Sequence, residues 1–157
     1  MKVLAYECEV VERPAQPALV ARIRVPAQDM TLMLGDVYGA IRQYLAQLGE
    51  TPAGPPYAAF GDVGRQNLDV ELGYPVARPL RGKGGIKAGE IPAGRYATCL
   101  HVGPYAEIDP AYAALDRWVA ENGHRATGQA YELYPDEVGS TLPQQLRVRL
   151  LFPLLAG

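Results

Sequence analysis

The chain has 157 residues, long enough for one well-buried domain and short for two. It carries 15 Lys and Arg against 17 Asp and Glu, and no basic run exceeds a pair of residues, which argues against a groove that binds nucleic acid. Seventeen glycines and 14 prolines predict many loops, while periodic apolar segments favour a folded protein.

The cysteines and the N-terminal segment predict a cellular location. Cys8 and Cys99 are too few and too far apart for a disulfide framework, which fits a reducing compartment. Glu7 and Glu9 interrupt any signal sequence, and no uncharged apolar run approaches the roughly 20 residues that span a bilayer. We therefore expect a soluble cytoplasmic protein with no membrane partner.

Motifs for metals, cofactors and nucleophiles are not found in the sequence. His101 and His124 have no Cys or His partner at metal-ligand spacing. The run R-G-K-G-G-I-K-A-G lacks the Ser or Thr that follows Gly-Lys in a phosphate-binding loop. No Ser, Cys or Thr stands in a motif such as G-x-S-x-G. We expect neither a metal nor a cofactor.

The first half of the chain predicts two strands, a helix and a hairpin. Side chains alternate in character over Lys2 to Glu12 and again over Leu19 to Val25, which predicts two antiparallel strands. Apolar residues recur at helical steps from Thr31 to Leu48, and Gly49 ends that pattern. The hairpin that follows comprises a short strand at Tyr57 to Phe60, a turn at Gly61 to Gln66 and a strand at Leu68 to Pro75.

The second half predicts the same order of elements. A strand over Tyr96 to Val102 ends at Gly-Pro, and Asp109-Pro110 opens a helix that runs to about Asn122. Gly123 provides the stop, and a strand at Gln129 to Tyr134 follows. The final strand, L-R-V-R-L-L-F-P, ends like the L-D-V-E-L-G-Y-P of the first half.

Constant offsets indicate that the second half repeats the first. Gly123 follows Gly49 by 74 residues, as Tyr131 follows Tyr57, while Pro153 follows Pro75 by 78. The chain is therefore predicted to be one α+β domain made of two strand-helix-strand-strand units, at about 1–80 and 90–157, joined by a linker at 81–89. One antiparallel sheet would carry two long helices, with a binding cleft at a pseudo-twofold axis.

Glu132 is the main candidate for a functional carboxylate. It stands between two tyrosines in a mostly apolar segment. Alternation of strand side chains leaves a second interpretation open, in which Glu132 is exposed and pairs with Arg147 or Arg149 across the final hairpin. Trp118 and Tyr112 lie on the apolar stripe of the second helix, so packing in the core is as reasonable as contact with a ligand.

Several segments in order resemble the GyrI-like, or gyrase-inhibitor-like, family. These are E-V-V-E-R-P-A-Q-P-A-L-V-A, G-P-P-Y-A-A-F-G-D, D-V-E-L-G-Y-P-V, A-G-E-I-P-A-G-R-Y-A-T-C-L-H-V-G-P-Y, A-L-D-R-W-V-A-E-N-G and Y-E-L-Y. The resemblance spans almost the whole chain. The same domain is the effector-binding part of bacterial multidrug-sensing transcription activators, and this sequence begins directly with strands where those carry a helix-turn-helix.

The resemblance implies a function and a site. Members bind hydrophobic, often cationic, aromatic small molecules in the cleft between repeats, for drug sensing or sequestration. The ligand-contacting acid of the family maps onto Glu132, and the aromatic residues expected to line the cleft are Tyr96, Tyr57, Tyr38, Trp118 and Tyr134. Two alternatives are a hydrolase that opens cyclopropane-type electrophiles, with Glu132 and Tyr96 as catalytic residues, and an inhibitor that contacts DNA gyrase.

Overall fold

The computed structural model describes residues 6–26, 30–61, 67–136 and 141–156. The elements in chain order are β1 Glu9–Arg13, β2 Gln16–Pro26, α1 Met30–Gln47, β3 Tyr57–Phe60, β4 Asn67–Pro75, β5 Lys87–Ile91, β6 Gly94–Val102, α2 Asp109–Glu121, β7 Ala130–Leu133 and β8 Arg147–Pro153. Within these residues no helix is both long and apolar enough to cross a lipid bilayer.

The strands form one antiparallel sheet in the order β1-β6-β8-β7-β3-β4-β2-β5. From its centre the sheet reads β3-β4-β2-β5 in one direction and β7-β8-β6-β1 in the other, so the two halves match. Repeat one is β2-α1-β3-β4 and repeat two is β6-α2-β7-β8. The predicted α+β fold of two strand-helix-strand-strand units is confirmed.

Each repeat takes its edge strand from the chain segment that precedes the other repeat. β1 pairs with β6, and β5 pairs with β2. In the first pairing Arg13 lies opposite Gly94, and in the second Gln16 lies opposite Ile91. The pairing of β2 with β5 therefore continues the register of β1 with β6, after a two-residue break that begins at Pro14 in one segment and at Pro92 in the other. Because these two-residue breaks join opposite ends of the sheet, the sheet curls until its ends meet.

This exchange corrects two predictions. β1 and β2 were expected to be antiparallel to each other, but they run in the same direction and lie at opposite ends of the sheet order. The predicted linker, residues 81–89, contains the first half of β5. Alternation of side chains marks a strand without naming its neighbour, so the sequence could not place either one. The start of the first predicted strand, residues 2–5, lies outside the described residues.

The ends of the helices follow the predicted chemistry in part. Gly49 and Gly123 have φ values of 71° and 74°, the left-handed conformation that terminates a helix. Asp109 was expected to cap α2, but Ile108 holds that position and no side chain caps the first turn. Of the turn predicted at 61–66, only Gly61 lies within the described residues.

The two faces of the sheet have different cores. Both helices pack on one face, α1 over repeat one and α2 over repeat two, and we call this the helix face. The opposite side, which we call the inner face, is filled by a third cluster that includes Tyr57, Tyr96, Tyr131 and Leu151. Successive strand residues alternate between the two faces, so the position of each site residue follows from the register.

Candidate functional site

Glu132 lies at the pseudo-twofold axis. β3 and β7 pair antiparallel, with Glu132 directly opposite Ala58. These two residues are 74 positions apart, the offset that relates β3 to β7, so each is the equivalent of the other in its repeat. A residue that pairs with its own equivalent must lie on the symmetry axis. The axis therefore passes between Ala58 and Glu132, on the helix face.

Three tyrosine hydroxyls donate hydrogen bonds to the carboxylate. The side chain of Glu132 is only 2% exposed. Tyr105 and Tyr134 donate to Oε1 at 2.7 and 2.6 Å, and Tyr112 donates to Oε2 at close range. A buried carboxylate needs such donors, because each oxygen left without a partner costs free energy. We call Glu132 with Tyr105, Tyr112 and Tyr134 the carboxylate cluster.

The three tyrosines come from different elements. Tyr134 directly follows β7 and packs against the cores of both repeats. Tyr112 lies on α2, where its ring is 5.7 Å from Phe152. Tyr105 lies on a short 3-10 turn between β6 and α2 and is 41% exposed. Its ring meets that of Tyr134 edge to face at 6.4 Å. Tyr105 is therefore the most exposed of the three tyrosines around the buried carboxylate.

Burial and charge keep these phenols protonated. Burial first, and then the negative charge of Glu132, raise the pKa of Tyr105, Tyr112 and Tyr134 far above the ordinary value for tyrosine. Within the described part of the chain, no basic side chain lies within salt-bridge distance of Glu132. The cluster thus presents a carboxyl group surrounded by hydroxyl donors and aromatic rings.

The exposed alternative for Glu132 is wrong. In the sheet Glu132 pairs with Leu150, and Arg149 pairs with Leu133 and so points to the other face. Arg147 bonds to Asp136 instead, with its Nη2 2.8 Å from Oδ1. The two arginines that could have neutralised Glu132 are both directed away from it.

The predicted aromatic residues divide between the two faces. Tyr134 belongs to the carboxylate cluster. Tyr38 is buried on the helix face, and its hydroxyl donates to the carbonyl oxygen of Tyr57 at 2.6 Å. Burial raises the pKa of Tyr38, with smaller contributions from Tyr74 and from the charge of Glu132.

Tyr57, Tyr96 and Trp118 are not in the carboxylate cluster. Tyr57 and Tyr96 lie on the inner face, each with its ring 6.1 Å from that of Tyr131. Each tyrosine directly precedes a residue of the helix face in its own strand. Because successive side chains alternate between the two faces, Tyr57 and Tyr96 point to the opposite side. Trp118 is partly buried against the core of repeat two and stacks on His124 at 5.8 Å.

Sequence analysis did not assign Tyr105 and Tyr112 to the site. A signal for Tyr112 existed, because it follows Tyr38 by the 74-residue offset and so had to approach the axis from α2 as Tyr38 does from α1. Tyr105 had none, since its reach depends on a 3-10 turn after Gly103-Pro104.

His101 holds the turn that carries Tyr105. The ring is 3% exposed, and its Nε2 donates to the carbonyl oxygen of Pro104 at 3.0 Å. Its Nδ1 accepts a hydrogen bond from the hydroxyl of Tyr6 at 3.3 Å. These bonds fix the residue directly before Tyr105. Among the described residues, no group of three His, Cys, Asp or Glu side chains could hold a metal ion.

Comparison with known proteins gives a consistent picture. A sequence model of the GyrI-like small molecule binding domain matches residues 6–155. None of the curated proteins matches the sequence significantly. The crystal structure of the C-terminal domain of EcmrR superposes with a TM-score of 0.82 at 24% identity, covering 98% of this chain and 100% of that one.

Three further structures extend this comparison. In the EcmrR–DNA complex the TM-score is 0.84 at 25% identity, covering 97% of this chain and 58% of EcmrR, so the chain spans a little over half of EcmrR. A hydrolase from Listeria innocua has a TM-score of 0.67 at 13% identity, covering 98% and 94%. SAV2435 bound to tetraphenylphosphonium has a TM-score of 0.63 at 6% identity, covering 95% and 94%. The last two and the separate C-terminal domain of EcmrR, all below 25% identity, show a shared fold alone.

Proposed function

Because the chain belongs to the GyrI-like family of small-molecule-binding domains, we propose that the carboxylate cluster is its binding site for a hydrophobic, often cationic, aromatic molecule. One observation carries the proposal. A carboxylate on the pseudo-twofold axis is 2% exposed, accepts three tyrosine hydroxyls and has no basic neighbour among the described residues. A bound cation would supply the missing opposite charge.

The physical basis is the low polarity of the surroundings. Charges attract more strongly away from water, and aromatic faces add cation–π attraction to apolar burial. Tyr105 is the most exposed member of the cluster, and a ligand that reaches Glu132 by way of this side chain displaces it. Its place on a short 3-10 turn makes this the least costly movement among the three tyrosines.

Two structural relatives support this assignment. SAV2435 binds tetraphenylphosphonium, which is a hydrophobic aromatic cation. EcmrR binds DNA and includes a C-terminal domain that this chain matches over its full length. We assign this chain to ligand sensing or sequestration, with no DNA contact of its own, because its formal net charge is -2.

The test compares two ligands of the same shape and opposite charge. Tetraphenylphosphonium and tetraphenylborate are titrated into the protein and into Glu132→Gln, with Glu121→Gln on the exposed side of α2 as the matched control. Glu132→Gln should weaken the phosphonium by about 1.5–3 kcal/mol, or roughly 10- to 150-fold. The borate should bind weakly to the protein and better to that variant. Equal phosphonium affinity in all three proteins would refute the site.

A second candidate is a hydrolase that opens cyclopropane-type electrophiles. The close hydrogen bond between Tyr112 and Glu132 favours it, because a phenol and a carboxylate in contact can relay a proton to or from a strained ring as water attacks. Tyr96, the predicted catalytic partner, lies on the inner face, so Tyr112 takes that role here. Repeated formation of ring-opened product, followed by mass spectrometry, would establish the hydrolase, and unchanged compound would exclude it.

The contact with gyrase stays a prediction. A supercoiling assay with purified gyrase and no small molecule tests it directly. Reduced supercoiling at a stoichiometric excess of this protein would support a protein contact, and unchanged supercoiling would remove it.

A further inference from the structure

A groove lies on the inner face of repeat two, on the side of the sheet away from Glu132. It has a volume of about 500 Å³, within the range of small-molecule sites. Its apolar lining includes Val11 of β1, Leu100 of β6, Leu133 of β7 and Leu151 of β8. Register places all four on the inner face, so this groove and the carboxylate cluster are separated by the thickness of the sheet.

The charges along this groove are mostly positive. Arg13, Arg147 and Arg149 line it, with Glu9 as the acid among its lining residues. Arg147 is occupied, because Asp136 accepts bonds from its side chain at 2.8 to 3.3 Å and from its backbone N–H at 2.8 Å. Across the described ranges, neither Arg13 nor Arg149 has an ion-pair partner. Two guanidinium groups are therefore available against one carboxylate.

A buried hydroxyl in the same lining also lacks a partner. Thr98 is 3% exposed, and its Oγ1 makes no hydrogen bond with any residue that the structure describes. Its equivalent in repeat one, 78 residues earlier, is Val20, which is apolar. Leaving a buried hydroxyl unpaired costs free energy, so a polar group at this position is unfavourable unless something bonds to it.

Repeat one provides an internal comparison. By the 78-residue offset, Asp69 and Glu71 of β4 stand where β8 has Arg147 and Arg149. In repeat one these acids form ion pairs at 3.5 to 3.9 Å with Arg22 and Arg24 of β2. The positions equivalent to those arginines are Leu100 and Val102 in repeat two. In repeat one the charged residues of the two strands therefore pair with each other. In repeat two, arginines stand at the positions of the acids, and apolar residues stand at the positions of the arginines that pair with them.

We propose that this groove binds a small organic carboxylate with an apolar body. The carboxylate contacts Arg149, whose guanidinium group matches it in geometry and charge, and Arg13 adds positive charge farther along the groove. The apolar body covers Leu100 and Leu151, and Thr98 faces the same ligand. This site is independent of the carboxylate cluster, selects the opposite charge and uses the opposite face of the sheet.

The experiment uses three fluorescent probes of one shape. These are 2-naphthoate, the neutral 2-naphthylmethanol and the cationic 2-naphthylmethylammonium, each titrated into the full chain. The naphthoate should bind at least about tenfold more tightly than the alcohol, and Arg149→Gln should remove about tenfold or more of that affinity. Arg13→Gln should have a smaller effect, because Arg13 lies farther along the groove. Arg22→Gln, an arginine variant of repeat one, and Glu132→Gln should leave naphthoate binding unchanged.

Each outcome decides the proposal. Equal binding of naphthoate and alcohol, no binding of naphthoate at millimolar concentration, or full affinity in folded Arg149→Gln and Arg13→Gln would overturn it. Circular dichroism confirms that each variant is folded. A loss of naphthoate affinity in Glu132→Gln would place the probe on the helix face and also overturn it. Loss of phosphonium binding in that variant alone, with naphthoate binding retained, supports both sites separately.

Discussion

Ala58 of repeat one and Glu132 of repeat two hold the same position in β3 and β7 and pair with each other across the pseudo-twofold axis. Around them, Tyr38 and Tyr112 also hold equivalent positions on α1 and α2. The hydroxyl of Tyr38 bonds to a backbone carbonyl, while that of Tyr112 bonds to the carboxylate. The symmetry of the backbone thus brings two helices and two strands together at the axis. Only repeat two places a carboxyl group there.

The largest predicted effect comes from restoring the symmetry at the axis. Ala58→Glu places a second buried carboxylate directly opposite Glu132, where cross-strand Cβ atoms are about 5 Å apart. Without a cation the free energy of unfolding should fall by about 3 kcal/mol or more, because the new charge is buried and unpaired. Urea denaturation measures this, with Ala58→Gln as the uncharged control of the same size. Equal losses in the two variants would mean that the axis tolerates a second charge.

A smaller effect should distinguish the two equivalent tyrosines. Tyr112→Phe removes a donor from a charged acceptor, and we expect a loss of about 1.5–3 kcal/mol in the free energy of unfolding. Tyr38→Phe removes a bond to a neutral carbonyl and should cost about 1 kcal/mol. Urea denaturation of both variants gives the comparison, since each loses one buried oxygen. Equal costs would mean that the bond from Tyr112 to Glu132 contributes no more than a bond to a neutral carbonyl.

The smallest effects concern the ion pairs of the final strands. Asp69→Asn in repeat one should change stability by about 1 kcal/mol or less, because its partners Arg22 and Arg24 are largely exposed.

Asp136 has its pKa lowered by hydrogen bonds from Arg147, so its stabilisation is present above the unfolded pKa of aspartate and is lost as pH falls through the lowered value. Asp136→Asn should therefore flatten the acid limb of a stability-versus-pH curve. An unchanged acid limb would contradict this role.

The sequence predicted the elements well because their signals are local. Period-two and helical patterns, together with Gly49 and Gly123, placed both helices and the strands β3 and β4 to within a residue or two. The constant offsets added the duplication, and Glu132 followed from its place between two tyrosines and from the resemblance to the GyrI-like family. Tyr57 could also have been placed correctly, because its equivalent Tyr131 is adjacent to Glu132 in β7 and alternation directs it to the opposite face.

What the sequence did not predict depends on contacts between distant segments. The pairing of β1 with β6 joins residues 81 to 89 positions apart, and no pattern within either strand specifies that partner. The contact of Tyr105 with Glu132 depends on the path of a turn held by His101. Both features depend on how several elements pack together, so the local sequence pattern does not predict them.

The exchange of edge strands means that neither repeat is a separable folding unit. Cut between the repeats, the first would leave the outer edge of β2 unpaired, because β5 belongs to the following segment. It would also carry β1 with no strand to join. Two copies of a single repeat could each lend that strand to the other and form a closed, swapped homodimer. The present chain has the architecture of such a dimer joined into one polypeptide, and its two halves carry different charges at equivalent strand positions.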